Sequence, residues 1–208
     1  RSCGWALPED VVVGNLLDFA EWDNLPPPAD FDRSFPDLAG RPVLLFVGRL
    51  NWVKNLPQAL EAFARVLQKM PEAAFVLCGP DKDGHESSLR RAASGLGIAR
   101  SVLFAGRLDR RGLRAAYSRA NAAVLLSKKE NFGLGAAEAL ACGVPCVLSP
   151  NVGIALELSA CPAVKVVDPE NFMEVAEAIH SFLALDRPAG EILRREARGA
   201  ARERWSQR

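Results

Sequence analysis

The feature that most constrains the fold is a series of short, continuously apolar runs that recur from residue 42 onward. The runs PVLLFVG, AAFVLCG and VLFAG end in glycine, and the runs AAVLLS, PCVLS and AVKVV follow the same pattern. Apolar runs of this length are typical of strands that are covered on both faces of a sheet. They alternate with segments of helical period, of which Leu56–Met70 is the clearest.

Six strand-and-helix repeats predict an α/β domain built on a doubly wound parallel sheet of about six strands, with a Rossmann-like architecture. Right-handed crossovers place every strand-to-helix loop on one edge of the sheet, where ligands of such sheets bind. The candidate loops are 49–54, 79–84, 106–108, 127–134 and 149–153. The further predicted helices are Ser88–Leu96, Leu113–Ala120, Leu134–Ala141, a weak helix near Ala155–Ser159, Phe172–Leu185 and Glu191–Trp205.

Residues 1–41 differ in composition from the rest of the chain. They contain LPPPADFDRSFPD, which is typical of a linker, and the preceding VVVGNLLD is compatible with a strand and a turn. We therefore expect residues 1–41 to be a linker and the remnant of a preceding N-terminal domain, and residues 42–208 to form the sheet domain. The chain does not begin with Met, which suggests a fragment.

Composition excludes several classes of function. The 26 basic and 25 acidic residues leave a net charge of +1, so no global charge attracts nucleic acid or an anionic membrane. No apolar run approaches the roughly 20 residues that span a bilayer. The five cysteines have no CxxC spacing and the chain has two histidines, which argues against a zinc site. Their apolar neighbours favour small buried side chains in a reducing cytoplasm.

The loop sequences also exclude three common chemistries. The first loop, GRLNWVKN, has one glycine and therefore lacks the G-x-G-x-x-G of a dinucleotide site. The phosphate-binding G-x-x-x-x-G-K-[ST] and the nucleophile elbow G-x-S-x-G are absent too. Hydride transfer, P-loop hydrolysis and serine hydrolase chemistry consequently lose support.

Two cations follow the first predicted strand, which ends at Gly48. Arg49 lies in the first loop, and Lys54 lies at the entry of the next helix. Two cations at a strand end are able to neutralise a diphosphate without a metal ion. Taken by themselves, however, Arg49 and Lys54 are better explained as ordinary solvent-exposed charges.

The segment SKKENFGLGAAEALACGVPCV is more informative. Glu130 follows a strand, Phe132, Gly133 and Leu134 enter a helix, and Glu138 lies about one turn into that helix. A helix start presents free N–H groups and a partial positive charge, which suit an anion. Two carboxylates that flank such a site are good acceptors for paired sugar hydroxyls. The alternative is a loop charge and an ordinary helix residue, although Glu138 adjoins a buried apolar stretch where a lone Glu is uncommon.

These residues resemble the C-terminal domain of the GT4 family of glycosyltransferases (glycosyl transferases group 1), which have the GT-B fold. The resemblance covers nearly the whole chain and is most specific in the E-x7-E motif from Glu130 to Glu138. FVGRLNWVKN, LCGPDKDG, VLFAGRL, EALACGVPCVLS and VGNLLD match as well, in the family's order. One departure is the order Gly14-Asn15 where the family usually has N-G.

The resemblance implies a role for each site residue. Arg49 and Lys54 would bind the diphosphate of the donor and help it depart, and Glu130 would hold hydroxyls of the donor sugar. Glu138 would accept the ribose hydroxyls. Arg107 and Leu108 would lie against the base, and the backbone of Asn131, Phe132, Gly133 and Leu134 would face the sugar and phosphates. Gly48 is the remaining donor-binding residue.

The family also implies a reaction. A hexosyl group would move with retention from an NDP-sugar (UDP, GDP or ADP) to a glycan or lipid-linked acceptor, with no metal and no other cofactor. The family's N-terminal acceptor domain, which commonly carries a catalytic His, is missing, and neither His85 nor His180 matches that His. We therefore expect the isolated chain to be inactive.

The family's habit suggests polysaccharide biosynthesis in the cytoplasm, with peripheral contact to the inner face of the membrane through the missing domain. Two alternatives stay open, a non-catalytic nucleotide-binding module and a sugar-nucleotide epimerase half of the same fold.

Overall fold

The computed structural model describes residues 17–81 and 83–205. Six parallel strands form one sheet in the order β3-β2-β1-β4-β5-β6, which confirms the predicted doubly wound α/β architecture. The strands are β1 (Val43–Val47), β2 (Ala74–Cys78), β3 (Val102–Gly106), β4 (Ala122–Leu125), β5 (Cys146–Leu148) and β6 (Val164–Val166). The order reverses between β1 and β4, so this pair of strands marks the topological switch point.

Helices cover both faces of the sheet. They are α1 (Phe19–Asp23), α2 (Pro28–Ser34), α3 (Leu56–Lys69), α4 (His85–Gly95), α5 (Arg110–Arg119), α6 (Leu134–Ala141), α7 (Phe172–Leu183) and α8 (Arg187–Trp205). Three helices begin earlier than the apolar pattern predicts, because their first residues, 85–87, 110–112 and 187–190, include no large apolar side chain. The Asp109 carboxylate caps α5 by accepting from the Gly112 N–H at 2.7 Å, and Asp186 accepts from the Ala189 N–H at the start of α8.

The predicted weak helix near Ala155–Ser159 is wrong, because residues 153–160 form turns. The Gly153 N–H donates to the Glu130 carbonyl at 2.9 Å, and the Ile154 N–H donates to the Phe132 carbonyl at 3.2 Å. The backbone at the start of this segment is therefore bonded to the loop after β4 instead of to a helix of its own.

The segment before the sheet is folded where the structure describes it. Residues 17–41 lie outside the sheet and form α1, α2 and a 3-10 turn at 36–38. Trp22, Phe31 and Leu38 are buried in the same core as the strands, and this burial is what orders the segment. The Gly14-Asn15 pair and most of VVVGNLLD lie outside the described residues, and the division at residue 41 stays a prediction.

The predicted burial of the cysteines is confirmed for three of the five. Cys78, Cys142 and Cys146 are buried free thiols, and Cys161 is half-buried. Burial raises the pKa of the Cys78 thiol to about 12, so this side chain behaves as a small apolar group. Cys3 lies outside the described residues.

Candidate functional site

The loops after β1 and β4 meet at the switch point. The loop after β1 contains a 3-10 turn, Trp52–Lys54, and then Asn55, which is buried and has a left-handed φ of 55°. The Lys128 N–H donates to the Val53 carbonyl at 2.8 Å, which joins the two loops through their backbones. The edge of the sheet where ligands of such folds bind is therefore a single connected surface here.

A cleft of about 530 Å³ opens between these two loops. It contains four cations, one carboxylate, two amide side chains and one exposed indole. Its lining residues are Arg49, Asn51, Trp52, Val53, Lys54, Lys128, Lys129, Glu130 and Asn131. The surplus of positive charge makes the cleft suitable for an anion although the chain as a whole is nearly neutral.

The two predicted phosphate cations differ in their surroundings. Arg49 is exposed and forms no ion pair within residues 17–81 and 83–205. Lys54 forms an ion pair with Glu130, in which the side chains are only 14% and 21% exposed. The structure thus brings all three predicted catalytic residues into one cleft, with one cation available and the other engaged by the carboxylate.

Backbone contacts hold the Glu130 loop in place. Glu130 forms an isolated parallel bridge with Val152, and its N–H donates to the Asn151 carbonyl at 3.1 Å. A Cβ at Gly153 would lie 2.0 Å from the Asn131 carbonyl oxygen, so a side chain at this position would displace the loop. The backbone of the loop after β5 therefore positions Glu130 and Asn131.

Helix α6 begins beside this loop and is pressed against β1. Gly133 precedes it with a φ of 101°, a left-handed conformation that favours glycine. A Cβ at Gly135 would lie 2.6 Å from the Val47 carbonyl oxygen, so glycine allows α6 to approach β1 closely. The N–H groups of Leu134 and Gly135 belong to the first turn and have no acceptor inside the helix.

The side chain of Phe132 has a packing role. Its ring meets the Trp205 ring of α8 edge-on, with centroids 5.6 Å apart, and packs against the core. Leu134, by contrast, is exposed. Of the predicted segment from Asn131 to Leu134, only Asn131 lines the cleft with its neighbours from the first loop.

Glu138 is buried within α6 and does not line the cleft. The Tyr117 hydroxyl of α5 donates to Glu138 Oε2 at 2.9 Å. Burial raises the pKa of the Glu138 carboxyl, while the hydrogen bond from Tyr117 and the charge of Arg110 partly oppose that rise. Glu138 is therefore a prearranged carboxylate in an apolar setting, unlike Glu130.

The loop after β3 contributes to a different cleft. Arg107 is exposed, whereas Leu108 is half-buried and lines a cleft of about 440 Å³ between α2 and α5 together with Phe31 and Phe35. Gly48 directly follows β1 and lines neither cleft, and its N–H donates to the Cys78 carbonyl at the end of β2 at 3.0 Å. The structure does not place Arg107 and Leu108 in the cationic cleft with Arg49 and Glu130.

Several residues of the site were not assigned from sequence. Lys128 and Lys129 stand inside the SKKENFG motif, so their place beside Glu130 was available as a signal. Asn51 and Trp52 lie between the two predicted cations, but their residue types carry no specific signal. Tyr117 precedes Glu138 by 21 positions, and nothing in the sequence connects the two.

Residues 17–81 and 83–205 contain no group of three or more His, Cys, Asp or Glu side chains that could hold a metal ion. In the same part of the chain, no helix has the length and apolar character needed to cross a membrane.

Comparison with known proteins identifies one family of glycosyltransferases. The family model "Glycosyl transferases group 1" matches residues 30–204. The chain is 34% identical over 201 residues to a glycogen synthase of Mycobacterium tuberculosis, which covers 97% of this chain and 45% of the relative. The chain therefore spans less than half the length of this curated relative.

Two solved structures share the fold. The C-terminal domain of the glycosyl transferase group 1 protein LpcC from Francisella tularensis has a TM-score of 0.80 at 17% identity, and the match covers 92% of this chain and all of that one. Anabaena Alr3699/HepE, crystallised with UDP and glucose, has a TM-score of 0.79 at 22% identity, with 92% of this chain and 52% of that chain covered. The architecture is that of the C-terminal half of a GT-B fold.

Proposed function

We propose that this chain, which belongs to the glycosyl transferases group 1 family, is the donor-binding part of a retaining glycosyltransferase. It moves a hexosyl group from a nucleoside diphosphate sugar to a glycan or lipid-linked acceptor. The observation that carries the proposal is the cationic cleft at the switch point, where Arg49, Lys54 and Glu130 meet beside the start of α6. HepE was crystallised with UDP and glucose on the same fold, which supports a donor of this chemical class.

In this proposal the diphosphate lies against the cations. Arg49 is exposed and has no ion pair in the described ranges, so its guanidinium is available for a bidentate contact with phosphate oxygens. The first-turn N–H groups of α6 supply further donors and a favourable helix dipole. Lys128 and Lys129 add to the local positive charge. These groups neutralise the departing diphosphate without a metal ion.

Lys54 and Glu130 act as a pair that the donor rearranges. Lys54 exchanges Glu130 for a phosphate oxygen, and the carboxylate then accepts hydroxyls of the donor sugar. Asn131 lines the same wall and is a further hydroxyl partner. One ionic contact in the free chain is thereby replaced by two contacts to the substrate, one at the phosphate and one at the sugar.

Glu138 takes the ribose, and the base lies on the side of Arg107 and Leu108. The burial of Glu138 near Tyr117 suits a neutral partner with several hydroxyl groups, because hydrogen bonds from hydroxyl donors stabilise a carboxylate most in an apolar setting. Leu108 lines the second cleft, between α2 and α5, and provides apolar contact on that side.

Retention follows from chemistry on one face of the sugar. The departing diphosphate accepts the proton of the acceptor hydroxyl while the new bond forms on the face that the diphosphate leaves. The protein then has to stabilise charge and position both substrates, and it needs no nucleophile of its own. An acceptor-binding domain that precedes the described residues supplies the opposite wall, with residues 1–41 as the connection and residues 42–208 as the donor domain.

A panel of ligands tests the donor assignment. Thermal unfolding is followed with UDP, GDP, ADP and NAD, and calorimetry measures the Kd of each ligand that stabilises the chain. We expect one nucleoside diphosphate to raise the unfolding temperature and NAD to leave it unchanged. Mass spectrometry of a copurified nucleotide identifies the base independently. Stabilisation by NAD alone, or by none of the diphosphates at millimolar concentration, contradicts the proposal.

A further inference from the structure

The only tyrosine of the chain holds the buried carboxylate of α6. Tyr117 is fully buried in α5, and its hydroxyl donates to Glu138 Oε2 at 2.9 Å. The same hydroxyl lies 3.1 Å from the carbonyl oxygen of Gly135 in the first turn of α6. It therefore connects the carboxylate to the end of the helix that begins beside the cationic cleft.

The Tyr117 ring is itself held in one orientation. Trp22 of α1 is buried and packs edge-on against it, with ring centroids 5.7 Å apart. The Tyr117 hydroxyl has one proton and two nearby acceptors. The charged carboxylate is a stronger acceptor than the Gly135 carbonyl, so the hydrogen bond to Glu138 is the stronger of the two. Glu138 Oε1, in contrast, accepts no hydrogen bond from any donor in the part of the chain that the structure describes, and the residue as a whole is 8% exposed. Among residues 17–81 and 83–205, one carboxylate oxygen is thus occupied by the Tyr117 hydroxyl and the other has no donor.

We infer that Tyr117 is a positioning residue for nucleoside recognition, which holds Glu138 so that Oε1 accepts a ribose hydroxyl of the donor. This inference rests on the proposed function, which assigns the ribose to Glu138. Since Tyr117 touches the carboxylate and not the ligand, its effect passes through Glu138 alone. A purely structural tyrosine would change stability without changing the discrimination between ribose and deoxyribose.

The Tyr117 hydroxyl also opposes the rise in the pKa of the Glu138 carboxyl. Burial raises the pKa of Glu138, and the nearby Glu21 of α1 raises it further, whereas the hydrogen bond from Tyr117 and the charge of Arg110 lower it. Arg110 and Glu21 form an ion pair with each other, which limits the net effect of both. Loss of the Tyr117 hydroxyl therefore raises the pKa of Glu138. Nucleotide binding that depends on the ionised carboxylate is then lost at a higher pH.

The first test is Tyr117→Phe, which keeps the ring and its contact with Trp22. Calorimetry compares UDP, GDP and ADP with their 2′-deoxy and 3′-deoxy counterparts. We expect affinity for the ribonucleotide to fall about tenfold, as for loss of a hydrogen bond to a charged group. The preference for ribose should largely disappear, and the midpoint of the pH–affinity profile should move upward.

Two variants separate the possible outcomes. Ser181→Ala removes a hydroxyl of α7 that donates to the Ala178 carbonyl at 2.7 Å, and it should leave the ribose preference unchanged. Glu138→Gln should abolish that preference. If Glu138→Gln abolishes it and Tyr117→Phe retains it, the role of Tyr117 is overturned while the proposed function stands. If Glu138→Gln also retains it, the ribose assignment fails, and the inference fails with it.

Because the chain has a single tyrosine, a second measurement is possible on the unsubstituted sequence. Growth on 3-fluorotyrosine labels position 117 alone, so one ¹⁹F resonance reports on the hydroxyl. We expect this resonance to move when the ribonucleotide binds and to move less with the 2′-deoxy and 3′-deoxy counterparts. A resonance that responds equally to all three overturns the inference.

Discussion

Glu130→Gln should tighten the binding of a free nucleoside diphosphate. In the free chain the Lys54 ammonium is engaged by the Glu130 carboxylate, so a phosphate oxygen has to displace that carboxylate before it gains the lysine. The amide of Gln is neutral and competes weakly for the ammonium. The same substitution also removes a negative charge from the cleft that receives the diphosphate.

The burial of the pair sets the size of the effect. Exposed ion pairs contribute about 0.2–1 kcal/mol, and hydrogen bonds to charged groups contribute about 1.5–3 kcal/mol. The Lys54 and Glu130 side chains are only 14% and 21% exposed, which places the pair between these ranges. A value of about 1.4 kcal/mol corresponds to an approximately tenfold lower Kd. For the sugar-bearing donor the gain is offset, because Glu130 no longer accepts the sugar hydroxyls with full charge.

Calorimetry with the preferred diphosphate and its sugar donor measures both effects. Glu61→Gln is the matched control, since Glu61 forms an exposed ion pair with Arg65 on α3 and does not line the cleft. The double variant Lys54→Ala, Glu130→Gln should lose most of the gain, because the competition for Lys54 is then absent. Unchanged or weaker diphosphate binding by Glu130→Gln refutes the exchange of partners.

The remaining predictions concern the phosphate cation, the packing of the loops and the divided site. Arg49→Ala should weaken diphosphate binding about tenfold or more with an unchanged unfolding temperature, whereas Arg100→Ala, an exposed control, should alter neither; equal affinity of both variants contradicts the assignment. Gly79→Ala should lower the free energy of unfolding by about 2 kcal/mol or more in urea, because its Cβ would lie 1.8 Å from the Gly48 carbonyl oxygen, while Gly95→Ala has open space and serves as control. A polypeptide of these 208 residues should bind the donor but transfer no sugar, because transfer requires donor and acceptor to be held about 3–3.5 Å apart by two walls; repeated turnover with any acceptor overturns this.

The fold followed from sequence wherever periodicity carried the information. Each continuous apolar run became a strand, and Leu134–Ala141 has the predicted helix bounds. The starts of α5 and α8 were missed because Asp109 and Asp186 cap turns that contain few apolar residues. The segment after β5 was predicted as helical because its local pattern does not show that its backbone bonds to a loop far away in the chain.

The residues of the site could be predicted from sequence more fully than the contacts between them. Arg49, Lys54 and Glu130 share one cleft because the topology brings the carboxyl ends of β1 and β4 together. The pairing of Lys54 with Glu130 joins residues 76 positions apart, and it depends on side-chain directions that spacing does not determine. Without knowledge of that pair, the sequence predicts that Glu130→Gln leaves diphosphate binding unchanged. The Glu130→Gln variant therefore distinguishes the prediction from sequence from the prediction based on the ion pair.

The two carboxylates of the E-x7-E motif are adapted to different events because their surroundings differ. Glu130 lies in a cationic cleft and is paired with Lys54, and the proposed function has this pair exchange partners when the donor binds. Glu138 is held by the buried Tyr117 hydroxyl, and the proposed contact with a ribose requires no exchange of partner. In the proposed function, the nucleoside end of the donor therefore meets a prearranged surface, and the phosphate and sugar end meets one that reorganises. In such a division, the favourable binding of the nucleoside, which does not react, offsets the cost of separating Lys54 from Glu130 beside the bond that breaks.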